Sequence, residues 1–440
     1  MDEWLWASAA DLGRGIEVGN IDPVDLTETY LTAISAHEFT DLIYARTTED
    51  RAQTEAKAAS ERAKLGLRRS PLDGVPISWK DLYDTAGVGT EAGSQLLAGR
   101  VPDRDASVIQ AATDAGLICL GKTHMTELAF SGLGLNPMTA SPPCVNDLEA
   151  VSGGSSSGAA TSVAFGLAAA GIGSDTGGSV RAPAAWNDLV GLKTAPGRLS
   201  LDGVVPLCAR FDTVGPLCRT VEDAALLLAA MEGGKAASLD GATLDGTRLA
   251  ILKTSAFDNL REGPGSAFDS SVQNLKAAGA VVEEIELACV SEAMALAGVL
   301  FAPEAYGTWK TEIEANPDAM YPLVLARFRG GASISAADYV AAWQRLDRLR
   351  AAYANETSGY DAVILPSVPI LPPKQSAVTE DDDLFVSENL LTLQNTRIGN
   401  LMGLAGLTLP TGVPSCGILF QGPSEERLLR IGAAVEAALA

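Results

Sequence analysis

Residues 171–183 read GIGSDTGGSVRAP, in which a short apolar strand leads into a turn of glycines and hydroxyl side chains. Glycine permits positive φ and close backbone approach, so successive N–H groups of such a turn can point at one place. That arrangement is typical of an oxyanion hole, which binds the negative charge of a tetrahedral intermediate. A tight turn that starts a helix with a serine cap has the same composition, and for this stretch alone it is the simpler interpretation.

A second stretch of the same kind precedes the first, and a lysine lies upstream of both. Residues 152–160 read SGGSSSGAA, and Lys80 lies in or at the end of an apolar strand, ISWKDL, at residues 77–82. Burial there disfavours the charged amine and lowers its pKa by several units, which would leave a neutral base. A structural ion pair of Lys80 with Asp81 or Asp84 is the alternative.

Helical and strand-like segments alternate along the rest of the chain. The first 66 residues are predicted to be helical, and strands and helices then alternate from residue 74. This order predicts an α/β fold: one large domain over residues 1–440, with a mixed β-sheet core covered by α-helices on both faces. A helical insertion at about 290–350 is expected to shape the substrate pocket. The acidic run 380–383 is predicted to be a solvated loop.

Charge and cysteine content limit the functions to be considered. The formal net charge is −23, and a surface this acidic repels phosphate backbones and anionic lipid. We therefore expect neither nucleic-acid binding nor membrane binding. The six cysteines form no CxxC pair, and the N-terminus lacks the features of a signal peptide. Both observations favour the reducing cytoplasm.

Familiar motifs match by spacing but not by context. GLICLGKT at 116–123 has P-loop spacing, but its central residues favour a buried strand rather than a phosphate-binding loop. GSSSG at 154–158 matches a nucleophile elbow, yet His37 and His124 are the only histidines and both lie upstream of it. No HExxH or Cys/His cluster is present, so we expect no metal and no cofactor. A nucleophilic serine here needs a base other than histidine.

The whole set resembles the amidase signature family. Its hallmark is a GGSS-type stretch followed by G(S/T)DTGGS(I/V)R, with an upstream lysine in a strand that ends in KD. This chain has GVPISWKDLYDTAG at 74–87, SGGSSSGAA at 152–160 and GIGSDTGGSVRAP at 171–183. The similarity continues to NTRIGNLMGLAGLTLPTGVP at 395–414. The resemblance implies the amidase signature fold and hydrolysis of a small carboxylic amide to an acid and ammonia or an amine.

The resemblance also assigns roles to residues of this chain. Ser179 would attack the amide carbonyl, Ser155 (carried on a cis peptide in the family) would relay its proton, and Lys80 would be the base, with an acyl-enzyme intermediate. The backbone N–H groups expected to hold the oxyanion are those of Thr176, Gly177, Gly178 and Ser179. The residues expected to fix the two loops are Ser156, Asp175 and Arg181.

The substrate pocket is less well specified by the sequence. By the same resemblance Phe130 and Ser131 are expected to line it, and the 290–350 segment is expected to carry specificity. Arg397 either contacts a substrate carboxylate or forms a structural salt bridge. The amide itself is not identified by the sequence.

Two other functions stay open. The glutaminase chain of a tRNA-dependent amidotransferase, known as its A subunit, uses the same triad to release ammonia from glutamine. However, TELAFSGLGLNP at 126–137 and VRAP at 180–183 resemble stand-alone amidases more. A catalytically inactive scaffold or binding homologue is the other alternative, although all three triad residues are present. The oligomeric state is left open, with a homodimer as the working expectation.

Overall fold

The computed structural model of the protein describes residues 2–439. The strands are β1 Tyr44–Thr47, β2 Pro76–Lys80, β3 Ile118–Thr123, β4 Pro143–Cys144, β5 Asp147–Val151, β6 Ala170–Asp175, β7 Val190–Lys193, β8 Thr213–Cys218, β9 Arg248–Leu252, β10 Val281–Ile285, β11 Ala362–Pro366, β12 Ala405–Pro410 and β13 Gly417–Gly422.

The helices alternate with these strands. They are α1 Ala9–Glu17, α2 Pro23–Ala36, α3 Thr40–Ile43, α4 Glu49–Lys64, α5 Ser107–Asp114, α6 Ser157–Ala164, α7 Arg181–Trp186, α8 Val221–Glu232, α9 Glu262–Ala277, α10 Ala288–Ala295, α11 Ala297–Ala315, α12 Pro322–Arg329, α13 Ala336–Thr357, α14 Gln375–Glu380, α15 Asp382–Thr392, α16 Gln394–Met402 and α17 Glu425–Leu439. Short 3₁₀ helices lie at Asp2–Trp6, Gln95–Leu97, Glu127–Ala129, Pro317–Ala319 and Gly330–Ser333.

One large mixed sheet organises the molecule. In the described residues eleven strands pair in the order β1-β3-β2-β6-β8-β7-β12-β13-β11-β9-β10, and β4 and β5 form a separate ribbon. Parallel pairs join β3, β2 and β6 on one side and β11, β9 and β10 on the other, and antiparallel pairs connect the two groups.

Helices cover both faces of this sheet. Every residue of β2, β3, β6, β7, β8 and β11 is buried. Because successive side chains of a strand point to opposite faces, such strands need cover on both sides. Among the helices that pack on them are α4 on β3, α6 on β6, α8 on β8 and α9 on β11. The predicted α/β class with a mixed sheet is confirmed.

The prediction that the first 66 residues are all helical is wrong at β1. Tyr44–Thr47 forms a strand that pairs antiparallel with β3. The Tyr44 side chain is buried, and its hydroxyl lies 2.6 Å from the hydroxyl of Ser78 and 3.0 Å from the carbonyl oxygen of Leu167. Pairing with the open edge of β3 therefore overrides the helical pattern around this four-residue segment, since local propensity is a weak constraint.

The acidic run 380–383 is exposed as predicted, but it is not a loop. Glu380 ends α14, and Asp382 begins α15. The carboxylate of Asp381 accepts a hydrogen bond from the N–H of Leu384 at 2.9 Å and caps the N-terminus of α15. Carboxylates are favoured there because the first N–H groups of a helix have no intrahelical partner. The acidic run therefore ends α14 and caps the start of α15.

The segment expected to be a helical insertion consists of α10 to α13. Helices α11 and α12 pack on each other, and α13 packs on α10 and α11. The stretch Ala288–Ala315 is long and apolar enough to meet the length and composition of a membrane span, although it contains Pro303 and Glu304. Core helices meet the same criterion, so this one stretch does not establish a span.

The sheet places the loops that follow β2 and β6 side by side. β2 and β6 are adjacent and parallel, with Trp79 beside Ile172. Parallel neighbours have their carboxyl ends at the same edge of a sheet, which is where α/β folds place ligands. Lys80 at the end of β2 and Asp175 at the end of β6 therefore meet at one edge.

Candidate active site

The amine of Lys80 lies at the centre of a buried polar cluster. Lys80 is the last residue of β2 and is fully buried. Its Nζ lies 2.7 Å from the hydroxyl oxygen of Ser155 and 2.8 Å from that of Ser174. Ser174 belongs to β6, so the pairing of β2 with β6 brings these two residues together. The sheet thus connects the lysine to both Gly/Ser stretches.

The alternative in which Lys80 forms a structural ion pair does not match the structure. The carboxylate of Asp81 lies 2.7 Å from the guanidinium of Arg46. The carboxylate of Asp84 lies 2.6 Å from the guanidinium of Arg100. Within residues 2–439 no carboxylate is in salt-bridge distance of the Lys80 amine. Its hydrogen-bond partners are hydroxyl groups.

This environment changes the protonation of Lys80. Burial lowers the pKa of its amine from the usual 10.5 to about 7, and the charges of Asp175 and Asp212 oppose that shift. Desolvation outweighs them because neither carboxylate contacts the amine directly. Near neutral pH a large share of the amine is therefore uncharged. In that form its lone pair can accept the hydroxyl proton of Ser155.

Ser155 and Ser156 lie where the first Gly/Ser stretch enters α6. The peptide bond between Gly154 and Ser155 is cis. The hydroxyl of Ser156 donates to the carbonyl oxygen of Ser174 and accepts from its N–H, both at 3.3 Å. The N–H of Ser156 donates to the carbonyl oxygen of Ser179, also at 3.3 Å. Ser156 therefore joins the two stretches through these hydrogen bonds.

The turn between β6 and α7 is built around the carboxylate of Asp175. Both residues of the Asp175–Arg181 pair are fully buried, and two hydrogen bonds of 3.0 and 2.9 Å join them. The same carboxylate accepts the N–H of Gly178 at 2.8 Å and that of Val180 at 3.1 Å. Burial raises the pKa of Asp175, but Arg181 outweighs it and holds that pKa well below its usual range. The charged pair fixes the turn that carries Ser179.

Arg181 also connects this turn to helix α16. Its guanidinium donates to the carbonyl oxygen of Thr396 at 2.7 Å and to the side-chain oxygen of Asn400 at 2.6 Å. The Thr396 hydroxyl in turn donates to the carbonyl oxygen of Gly177 at 2.8 Å. These hydrogen bonds therefore fix the position of α16 relative to the turn.

Three of the four backbone amides predicted to bind an oxyanion have no hydrogen-bond acceptor. Among the described residues, the N–H groups of Thr176, Gly177 and Ser179 are free. The N–H of Gly178 is not, because its one proton is donated to Asp175. The prediction for Gly178 is therefore wrong. This glycine shapes the turn, with φ at +143°.

A cavity of about 200 Å³ opens at this turn. Ser179, Thr176 and Gly177 line it, and so do Phe130 and Ser131, which the sequence placed in the pocket. Helices α11, α12 and α16 form the opposite walls through apolar side chains and two arginines. Small-molecule sites have this character, apolar with a few polar groups that converge.

Of the three residues assigned to catalysis, Ser179 is the one that lines this cavity. Lys80 and Ser155 are fully buried and do not line it. In the described chain no hydrogen bond joins the Ser155 and Ser179 hydroxyls, whereas Ser155 contacts Lys80. Hydrogen bonds of catalytic groups are often long without substrate and shorten when it binds. Ser179 thus borders the cavity, and the contact between Lys80 and Ser155 is buried.

Sequence reasoning missed three residues of this region. Ser174 binds the Lys80 amine, and Asp212 accepts the hydroxyl of Thr176 together with two backbone N–H groups. Ser174 lies within the stretch 171–183, and Asp212 precedes Thr213, which pairs with Asp175 in the sheet. Only the sheet pairing reveals their contacts. Arg327 lines the cavity from α12. A lone arginine after PLVLA does not by itself indicate a residue that lines a pocket.

Arg397 also lines the cavity, from α16. No carboxylate in residues 2–439 lies within salt-bridge distance of it, so its interpretation as a structural salt bridge is wrong. Neither histidine lines the cavity. The described residues hold no group of three or more His, Cys, Asp or Glu side chains that could bind a metal.

Comparison with known proteins places the chain in a family. A family model described as Amidase matches residues 25–425. The chain belongs to the amidase family. The 2-amino-5-chloromuconic acid deaminase of Comamonas testosteroni is 33% identical over 400 residues, which cover 88% of this amidase and 86% of the relative. The A subunit of the glutamyl-tRNA(Gln) amidotransferase of Streptomyces coelicolor is 29% identical over 100% of this chain and 97% of its own.

A solved structure agrees with this assignment. The native peptide amidase from Stenotrophomonas maltophilia superposes with a TM-score of 0.81 at 26% identity, covering 98% of this amidase and 96% of that chain. The predicted family is confirmed, and the protein is an amidohydrolase that acts on amide C–N bonds.

Replacing Gly178 with alanine should destabilise the amidase. An added Cβ would lie 2.1 Å from the Thr396 hydroxyl, at a φ that side chains rarely adopt. We expect the free energy of unfolding in urea to fall by about 2–5 kcal/mol. The control is Gly177→Ala, whose Cβ meets nothing within 4 Å, and its loss should stay below about 1 kcal/mol. Equal losses in the two variants would contradict the role of Gly178.

Proposed function

We propose that this amidase hydrolyses a small carboxylic amide to an acid and ammonia or an amine, with Ser179 as nucleophile, Ser155 as proton relay and Lys80 as base. The observation that carries the proposal is the 2.7 Å contact between a fully buried Lys80 amine and the Ser155 hydroxyl, directly behind the cavity that Ser179 lines. A buried amine without a carboxylate partner is suited to accept a proton.

Proton transfer follows the order in which these groups lie. With Lys80 neutral, the Ser155 hydroxyl donates to the amine lone pair, while an N–H of the amine donates to Ser174. Ser155 can then take the proton of Ser179 as the latter attacks the carbonyl carbon, and Lys80 becomes the ammonium. In the next step the proton returns by the same route to the leaving nitrogen.

The negative charge of the tetrahedral intermediate forms beside the turn that Asp175 and Arg181 fix. The free N–H groups of Thr176, Gly177 and Ser179 are the donors proposed for it. Because the turn is held before substrate arrives, these donors need little reorganisation during the reaction. Loss of the amine leaves an acyl group on Ser179. Water, activated by the same base, then releases the acid.

The pocket walls set the choice of amide in this proposal. Phe130 and Ser131 form one side, and helices α11 and α12 of the 288–329 region form the other. These helices belong to the segment at about 290–350 that the sequence analysis assigned to specificity. We propose that their side chains select the substrate, while the triad behind them is shared with relatives.

A glutaminase that works within a larger amidotransferase is the second candidate, favoured by the full-length similarity to the Streptomyces coelicolor protein. The two functions differ in whether the chain works alone. A stand-alone amidase in the cytoplasm, which is the compartment we propose, releases ammonia without a partner chain.

Ammonia release by the purified chain across a panel of primary amides, glutamine included, tests the first proposal. Activity should fall on the order of 10³-fold or more in Ser179→Ala. The matched control is Ser152→Ala in the neighbouring loop, whose buried hydroxyl has no partner among the described residues and whose loss should leave activity unchanged. Equal activity of Ser179→Ala and the parent protein would contradict the assignment, and activity on glutamine alone would favour the glutaminase.

The pH profile tests Lys80. Its pKa of about 7 means that the neutral base is absent well below that pH and present above it. We therefore expect kcat/KM to rise with pH through about 7 and then level off, measured between about pH 5 and pH 9. Circular dichroism over the same range controls for unfolding. A profile that falls with rising pH across this range would contradict a neutral lysine base.

A further inference from the structure

Two arginines line the same cavity as Ser179. Arg327 reaches it from α12 and Arg397 from α16. Among the described residues, no other lysine or arginine lines the cavity. The chain as a whole carries a formal net charge of −23, so a pair of cations in one small cavity contrasts with its overall composition.

Neither guanidinium has an anionic partner. Within the part of the chain that the structure covers, neither Arg327 nor Arg397 forms a salt bridge or a side-chain hydrogen bond. The Nε of Arg327 is buried and has no acceptor. Other arginines differ: Arg181 binds Asp175, and Arg329, two residues after Arg327, binds Glu314 at 2.7 Å. Arg210 and Arg348 also lack both kinds of contact, but they are exposed and do not line the cavity.

Both arginines are partly buried, so their charges are partly desolvated. Desolvation lowers the pKa of Arg397 to about 10, and it lowers that of Arg327 to about 10 with a further contribution from repulsion by Arg397. Both groups still carry their charge near neutral pH. Removing part of the water around an unpaired charge is costly, and a ligand of opposite charge would offset that cost.

Packing holds both side chains toward the cavity. The guanidinium of Arg327 stacks on the ring of Phe130, 4.6 Å from its centroid, and that ring packs edge-on against Phe328. Arg397 follows Thr396, whose backbone oxygen is bound by Arg181. The arginine that fixes the turn of Ser179 thus also fixes the helix that carries Arg397.

We propose that the substrate is an amide that also carries a carboxylate, and that this carboxylate binds between Arg327 and Arg397 while the amide carbonyl lies at Ser179. Guanidinium groups bind carboxylates with paired, charge-assisted hydrogen bonds. This inference rests on the proposed function, since it places the scissile amide at Ser179. It adds the substrate class, the mono-amide of a dicarboxylic acid or a close analogue.

The test compares pairs of substrates that differ only in that charge. Mono-amides such as succinamate and glutaramate are measured against their neutral diamides, succinamide and glutaramide, in which a carboxamide replaces the carboxylate. For the best mono-amide we expect kcat/KM to exceed that of its diamide by about 10- to 100-fold. A diamide that reacts as well as each mono-amide would overturn the proposal.

The arginine variants locate the effect. In Arg327→Gln and in Arg397→Gln the ratio of the two kcat/KM values should fall by about tenfold or more, chiefly through a higher KM for the mono-amide. The control is Arg329→Gln on the same helix. It removes the same charge outside the cavity, and the ratio should not change. Equal effects of the three variants would show a general charge effect and overturn the proposal.

Binding to the Ser179→Ala protein separates this inference from the catalytic assignment. Succinate and glutarate, titrated by calorimetry, should bind to it, and Arg397→Gln added to that background should weaken binding about tenfold or more. Binding that survives while the mono-amides are not hydrolysed by the parent protein would sink the proposed reaction and keep the carboxylate site. Hydrolysis that depends on Ser179, with no dicarboxylate binding and no charge preference, would overturn the carboxylate site and keep the proposed reaction.

Discussion

The buried pair of Asp175 and Arg181 is the interaction on which the site depends. Its carboxylate accepts the N–H groups of Gly178 and Val180, so the turn that carries Ser179 forms around one charge. Its guanidinium extends the same network to α16. Breaking a buried pair of this kind leaves an uncompensated charge and costs about 3–5 kcal/mol. Replacing it by apolar residues would also remove the acceptors that shape the turn.

Three solutions to the cost of a buried charge meet within this small region. Asp175 and Arg181 neutralise each other. Lys80 has no carboxylate partner among the described residues, and its amine loses its proton more readily, which suits it to the role of base that we propose. Arg327 and Arg397 keep their protons and have no partner among the described residues. The first solution gives rigidity, and we propose that the second serves proton transfer and that the third provides affinity for an anion.

Much of this could be predicted from sequence, because the residues concerned lie in long contiguous stretches. The strand that ends at Lys80 and both Gly/Ser turns follow from local pattern, and so does the α/β alternation. The strand β1 could not, since its four residues pair with β3 only in the folded sheet. Two further features also depend on tertiary structure. The Gly178 N–H donates to Asp175, and Arg327 lines the cavity. Helical periodicity alone does not say which neighbour a side chain meets.

We propose that the turn formed around Asp175 presents Ser179, and not Ser155, as the nucleophile. The most direct measurement is covalent labelling with a fluorophosphonate, followed by peptide mass spectrometry of the modified site. We predict one label per chain, on the peptide that contains Ser179, because Ser179 lines the cavity and Ser155 is fully buried and does not line it. A label on Ser155, or labelling at Ser179 that is unchanged when Lys80 is replaced by methionine, would contradict it.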